Sequence, residues 1–203
     1  MRPHDLLWLD SLPQPVSGVL PEWFDLSWPV VVRRDASGFS HQVPIGVRGL
    51  QRQQRCAGWI LSSQVCRVCT PEQLAEPCYW ESYAACRLPA IGALWQVAPV
   101  LNELEVAWGP VGSVGFTLAS GVLACRVSSD LDLLIRAPMP LPKAVLNELA
   151  VLLKHAACGL DIQVDTSKGG FSLTEWLLGR GQVLLKTAYG PRLVRNPWGD
   201  LVA

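Results

Sequence analysis

The sequence predicts an α+β protein: a small β-containing N-terminal domain over residues 1–80, followed by a second domain over residues 81–203 built on a strand–helix–strand unit. Three observations lead there. The first 80 residues are rich in Pro and Trp and carry short β-prone runs between Gly, Ser and Pro. From Tyr83 to Trp108 the chain turns Ala- and Leu-rich. Residues 128–165 then alternate between strand and helix periodicity.

Taken in order, Val30-Val31-Val32 and residues 43–47 read as strands, and Cys69 is followed by Thr70-Pro71-Glu72, a helix-start pattern. Pro89 and Pro99 break the next stretch into short helices. A helix is expected to begin near Gly112-Ser113, with Ser113 able to cap it or to offer its hydroxyl. Ser128-Ser129-Asp130-Leu131-Asp132-Leu133-Leu134-Ile135 opens polar and ends apolar, as a strand does when it emerges at the rim of a sheet, and Pro138 and Pro140 close it. Pro142 suits the first turn of a helix whose Val145, Leu146, Leu149, Leu152, Leu153 and Ala156 recur at helical spacing, with Gly159 as the stop. Residues 160–165 alternate as a second strand. Ser172-x-x-Glu175 reads as a capping box that starts a helix at Leu173.

Composition narrows the function classes. With 17 basic and 17 acidic residues the chain has no net field to hold it on a polynucleotide or an anionic membrane. The apolar run at residues 6–9 is too brief for a signal peptide, and no apolar stretch approaches the roughly 18 residues that cross a bilayer. A cytoplasmic location is expected. Seven scattered cysteines read as reduced thiols. Cys66, Cys69, Cys78 and Cys86 have the count of a zinc site, but the helix start at Thr70 argues against a metal knuckle.

The chemistry is expected at Asp130 and Asp132. Residues two apart on a strand share a face, so the two carboxylates stand side by side while Leu131 and Leu133 face the core. Adjacent like charges call for a bridging cation, and Mg2+, a hard ion that keeps substrate phosphates in its shell, suits them. Asp161, Gln163 and Asp165 share one face of the following strand, so either aspartate can supply a third carboxylate. Upstream, Gly109-Pro110-Val111-Gly112-Ser113-Val114-Gly115 lets backbone amides approach a phosphate at a helix N-terminus. Arg33, Arg34, Arg48, Arg52 and Arg55 are dense for a neutral chain, and guanidinium forks suit phosphate oxygens; the competing reading is a solvated surface. Lys168 and Lys186 are further phosphate candidates. His4, His41 and His155 show no ligand spacing, and no hydrolase signature is present.

The order Gly-Ser, then Ser129-Asp130-x-Asp132, then a later Asp resembles the nucleotidyltransferase superfamily to which DNA polymerase beta belongs. Longer blocks resemble the malonate decarboxylase holo-acyl carrier protein synthase family: His4-Asp5-Leu6-Leu7, Pro29-Val30-Val31-Val32-Arg33-Arg34, Pro44-Ile45-Gly46-Val47-Arg48-Gly49 with Arg52 and Arg55, Trp108 through Phe116, Gly170-Phe171-Ser172-Leu173-x-Glu175-Trp176 and Asn196-Pro197-Trp198. This resemblance implies a C-terminal nucleotidyltransferase fold, a mixed sheet flanked by helices. It also implies a reaction: transfer of phosphoribosyl-dephospho-CoA from 2′-(5″-triphosphoribosyl)-3′-dephospho-CoA to a serine of the apo acyl carrier protein subunit of malonate decarboxylase, with release of pyrophosphate. By the same resemblance Asp130 and Asp132 match the metal-binding pair, Gly112-Ser113 the phosphate-binding turn, and Asp161 the third carboxylate. Two other readings keep the site: an ATP-dependent adenylyltransferase, and a catalytically silent binding module.

Overall fold

The computed structural model describes residues 1–36 and 41–199, which form two six-stranded sheets. In chain order the elements are β1 (Leu6–Leu9), β2 (Gln14–Pro15), β3 (Val30–Val32), β4 (Gln42–Arg48), β5 (Arg55–Leu61), β6 (Val65–Cys69), α1 (Pro71–Leu74), α2 (Pro89–Glu103), β7 (Ala107–Pro110), α3 (Gly112–Ser120), β8 (Leu131–Arg136), α4 (Lys143–His155), β9 (Leu160–Asp165), β10 (Gly170–Ser172), α5 (Leu173–Leu177), β11 (Val183–Thr187) and β12 (Gly190–Val194). The architecture is α+β, with a β-rich N-terminal part.

The N-terminal sheet is antiparallel, in the order β2-β5-β4-β3-β1-β6. Its strands alternate as half-buried strands must. Leu7, Val30, Val32, Ile45, Val47 and Ile60 point to one face and close over Trp23, Phe24 and Leu26. The opposite face carries Val31, Gly46 and Ala57, aligned across three neighbouring strands, together with Arg33 and Arg48. This second face is turned toward the cavity described below.

The C-terminal sheet runs β12-β11-β10-β9-β8-β7 and is mixed: β8 and β9 are parallel, and every other pair is antiparallel. Leu131, Leu133 and Ile135 of β8 and Ile162 and Val164 of β9 pack with Leu94, Val97 and Leu101 of α2 and Leu149 of α4 in the main core. The same alternation directs Asp132 and Arg136, and Asp161, Gln163 and Asp165, away from that core. One face of the sheet is therefore apolar and covered by helices. The other is polar and meets the N-terminal half.

That meeting is held by a partly buried ion network. Arg136, 8% exposed at its side chain, donates to Asp165 at 2.5 Å, to Asp5 at 3.2 Å and to Glu72 at 3.2 Å. Arg34 pairs with the other oxygen of Asp165 and donates from Nε to the Lys186 carbonyl at 2.9 Å. Both halves thus contribute a charge to each end of the network. The four-residue helix α1 also bridges them. It starts where Thr70-Pro71 predicts, with Thr70 and Gln73 forming a reciprocal capping box. Its first residue lies so close to β7 that a Cβ on Gly109 would sit 1.7 Å from the Pro71 carbonyl oxygen.

Several expectations need correction. Residues 89–103 form one continuous helix, because the carbonyl that loses its donor at Pro99 belongs to Trp95 on the exposed side. The strand carrying Asp132 starts at Leu131, so Asp130 lies in the preceding loop. Helix α4 begins after Pro142 and ends at His155, short of Gly159. That glycine has a different duty: a Cβ there would lie 2.1 Å from Asp130 Oδ1. At α5 the start at Leu173 is as read, but Ser172 makes no side-chain cap, and Glu175 instead accepts from the Leu184 N–H at 3.0 Å. None of the helices is long and apolar enough to cross a membrane among the described residues.

Candidate active site

A cavity of about 690 Å3 lies between the polar faces of the two sheets. On its C-terminal wall are Asp132 and Asp161, which are direct partners in the parallel register of β8 and β9. The parallel pairing causes this proximity. Both strands run from the same edge, and each carries its aspartate at the second residue.

Beside them the chain turns from β7 into α3. Gly112 has φ +62°, a conformation that favours glycine, and a Cβ on it would fall 2.0 Å from Asp132 Oδ2. The turn is pinned by the Val111 N–H, which donates to the Asp132 carbonyl at 2.9 Å. Helix α3 begins without a side-chain cap, since Val111 occupies the capping position and Ser113 lies inside the first turn. Its first N–H groups are left for a ligand or solvent to satisfy, and they carry the partial positive end of the helix.

The opposite wall comes from the N-terminal sheet. Arg48 reaches across, donating from Nη1 to the Gly112 carbonyl at 3.0 Å, with its guanidinium 4.8 Å from the centre of the Phe116 ring. Arg55 also lines the cavity. Burial, then the neighbouring Asp161 and Asp130 carboxylates, push the Asp132 carboxyl up to about 6; Arg55 and Arg48 pull it back. The three aspartates thus form an electrostatic group, with Asp132 the most affected member.

Other expected residues fall elsewhere. Asp165 is engaged at both oxygens by Arg34 and Arg136, which places it in the ion network. Arg33 lines the cavity, but its guanidinium donates to the Ile45 carbonyl and to Asp35, each at 2.9 Å. Arg52 is exposed on the loop after β4 and is not part of the cavity wall. Lys168 is likewise off the wall, whereas Lys186 is on it. Ser129 accepts from the Arg126 N–H at 2.9 Å, and both Ser129 and Ser113 interact with the Cys125 thiol, whose pKa burial raises.

Sequence reasoning missed His4. It lines the cavity, its Nε2 lies 2.7 Å from Gln163 Nε2, and its backbone has φ +74°. Burial, reinforced by Arg34, Arg136 and Lys186, lowers its imidazole to about 4. No spacing signal marks it, because its side-chain partner Gln163 lies 159 residues away. Arg136 escaped notice for the same reason: three of the groups it serves are distributed over 160 residues of chain.

The fit of a divalent cation is decided by charge and ligand type. Among the described residues no three His, Cys, Asp or Glu side chains converge into a preformed metal cage. Mg2+ needs no such cage, being held by one or two carboxylates with water and substrate phosphates completing its shell. Asp132 and Asp161, all-oxygen ligands crowded enough to raise one pKa, fit that requirement.

Fold and site together define a class: a two-sheet α+β protein that holds a carboxylate pair beside a glycine turn, facing arginines across a cavity. Residues 2–71 match the family model described as phosphoribosyl-dephospho-CoA transferase MdcG N-terminal domain, and residues 73–197 match its C-terminal domain counterpart. The chain is 43% identical to the phosphoribosyl-dephospho-CoA transferase of Pseudomonas syringae pv. tomato, over 97% of this chain and 92% of that one. It is 42% identical to the protein of the same name from Pseudomonas aeruginosa, over 97% and 93%, and 39% identical to that of Klebsiella pneumoniae, over 97% and 96%. No solved structure matches the chain. The chain belongs to the phosphoribosyl-dephospho-CoA transferase family.

Proposed function

We propose that the protein is a Mg2+-dependent nucleotidyltransferase that moves phosphoribosyl-dephospho-CoA from its triphosphate donor to a serine of the apo acyl carrier protein of malonate decarboxylase. The transferase name shared by relatives about 40% identical over nearly the whole chain supports the group transferred. The observation that carries the chemistry is the alignment of Asp132 with Asp161 beside Gly112, in a cavity faced by Arg48 and Arg55.

The serine hydroxyl oxygen attacks the phosphorus nearest the ribose, and the bond from that phosphorus to the bridging oxygen of the next phosphate breaks. Pyrophosphate leaves, and the serine proton passes to a carboxylate or to water. Bound Mg2+ would neutralise the triphosphate and the developing charge on the leaving group. Asp132 and Asp161 would hold it, with Asp130 adding negative charge from the loop before β8. The amides at the start of α3 and the Gly112 turn accommodate phosphate oxygens closely, because no side chain stands in the way. Arg48 fixes that turn through the Gly112 carbonyl, and Arg55 adds positive charge from the opposite wall. The proposed setting for this reaction is the cytoplasm, which suits the seven scattered cysteines read as reduced thiols.

Incubating apo carrier protein with this enzyme, the triphosphoribosyl donor and Mg2+, then weighing the carrier by mass spectrometry, tests the proposal. A mass gain equal to the prosthetic group is expected. An unmodified carrier, or a gain of AMP when ATP replaces the donor, would overturn it.

A further inference from the structure

The polar face that carries Asp161 continues past the cavity. In register, Asp165 opposes Gly170, Gly170 opposes Lys186, and Lys186 opposes Pro191, so one face runs from the aspartates across β10 and β11 to the edge strand β12. Lys186 and Thr187 line the cavity, which makes this hairpin part of its rim.

The hairpin and the residues flanking it have an unusual composition for a neutral chain. Residues 176–199 contain Arg180, Lys186, Arg192 and Arg195 and no Asp or Glu. All four cations are exposed, and none forms an ion pair among the described residues; Lys186 shares the face of Leu184 and Leu193, whereas Arg192, opposite the buried Leu185, adds its charge from the other side of the edge strand. Glu175, just ahead of the segment, is committed to the Leu184 N–H. Between the charges stand exposed apolar side chains: Leu184 at 38%, directly opposite Leu193 at 65%, and Tyr189 at 85%.

Edge strands carry charges to discourage pairing with other chains, and that duty accounts for lysines and arginines. It does not account for two leucines and a tyrosine left in water beside them, an arrangement that marks an interaction surface. We propose that the β11–β12 hairpin is the docking face for the acceptor protein, which binds it through an acidic surface with an apolar centre. This rests on the reading of the protein as a transferase to a carrier serine. The geometry gives the interaction a purpose, because a partner seated on the hairpin has its nearest loop at the cavity rim, where the attacking hydroxyl must enter. Positive charge on the platform speeds and orients encounter with an acidic partner, and the apolar pairs supply the contact that keeps it.

The test compares wild type with Arg192→Glu/Arg195→Glu and with Leu193→Asp, all exposed positions outside the cavity wall. Transfer is measured against carrier concentration, with donor binding measured separately by calorimetry. Each variant is expected to raise the KM for carrier at least 10-fold, leave kcat at saturating carrier within twofold, and leave donor affinity unchanged. The wild-type KM should rise with salt and the charge-reversed KM should not. A carrier KM within twofold of wild type in both variants overturns the assignment, as does a KM effect that appears instead in Arg52→Glu. Altered light scattering without a change in KM would show that the hairpin pairs copies of this chain, and would also overturn it. Failure of the transferase reading is seen separately, as wild-type enzyme that leaves the carrier unmodified.

Discussion

Asp132 and Asp161 stand opposite one another as the second residues of two parallel strands, while Asp165, four residues further on, is tied to Arg34 and Arg136. The two candidate third carboxylates therefore have separable roles. Asp161→Ala should lower kcat by at least about 100-fold with a melting temperature no lower than wild type, since it removes a charge that repels Asp132. Asp165→Ala leaves the Arg34 guanidinium without its carboxylate and takes one of three acidic partners from Arg136, and should cost about 3–5 kcal/mol of stability. Thermal denaturation and transfer rates on the two variants check this. An active Asp161→Ala enzyme would remove the carboxylate pair from the mechanism.

Asp132 should trade stability for function. Its carboxyl titrates near 6 in the folded protein against 3.8 in the unfolded chain, so between those values the folded state binds more protons. Its contribution to stability then falls as pH rises through that window, and at neutral pH the buried charge costs about 1–3 kcal/mol. Asp132→Asn is expected to abolish transfer while raising stability in metal-free buffer at pH 7.5, and the gain should vanish below about pH 4. Urea unfolding across pH provides the measurement.

Gly112→Ala combines two penalties. The new methyl must occupy a left-handed backbone position and overlap Asp132 Oδ2. A loss of about 1–2 kcal/mol is expected from the backbone alone. Displacement of Asp132 should reduce transfer further than the stability change explains. By contrast, Gly121→Ala has the same backbone penalty, with φ +73° and open space around it, and should leave activity intact.

His4 supplies a pH signature of opposite sign. Its imidazole is held near 4 against 6.5 when free, so the unfolded chain binds the proton first as pH falls. The stability associated with a neutral His4 is fully present above about 6.5 and is lost as pH drops toward 4. The drop should be about 2–3 kcal/mol, and His4→Gln should flatten it. A melting-temperature profile between pH 7.5 and 4.5 distinguishes the two proteins.

Much of the fold was legible because the C-terminal strands are strongly patterned. Residues 131–136 and 160–165 alternate cleanly, and the helix between them has the expected spacing, so a strand–helix–strand unit could be read; the parallel pairing of its strands is a finding of the structure. Asp132 and Gly112 could be singled out by residue type and order, whereas the choice of Asp161 over Asp165 came from the family resemblance; the structure brings Asp132, Asp161 and Gly112 together. What sequence could not supply was the partner across space. Arg34 looked like a phosphate ligand until Asp165 was placed beside it, and Ser113 looked like a cap until the helix was seen to start at Gly112 with Val111 in the capping position. Pro99 misled for a local reason, because a helix tolerates proline where the orphaned carbonyl can face water.

The contact of Gly109 with Pro71 has a consequence for how this chain can be divided. The matches to the two halves of the family meet at residues 71 and 73, inside the helix whose first residue presses on β7. Leu74 of that helix lines the cavity and is itself part of the C-terminal core. Severing the backbone there would part Pro71, which presses on Gly109 of the C-terminal sheet, from Leu74, which lines the cavity, so a break at the junction of the two matches would cut through a helix that both halves share.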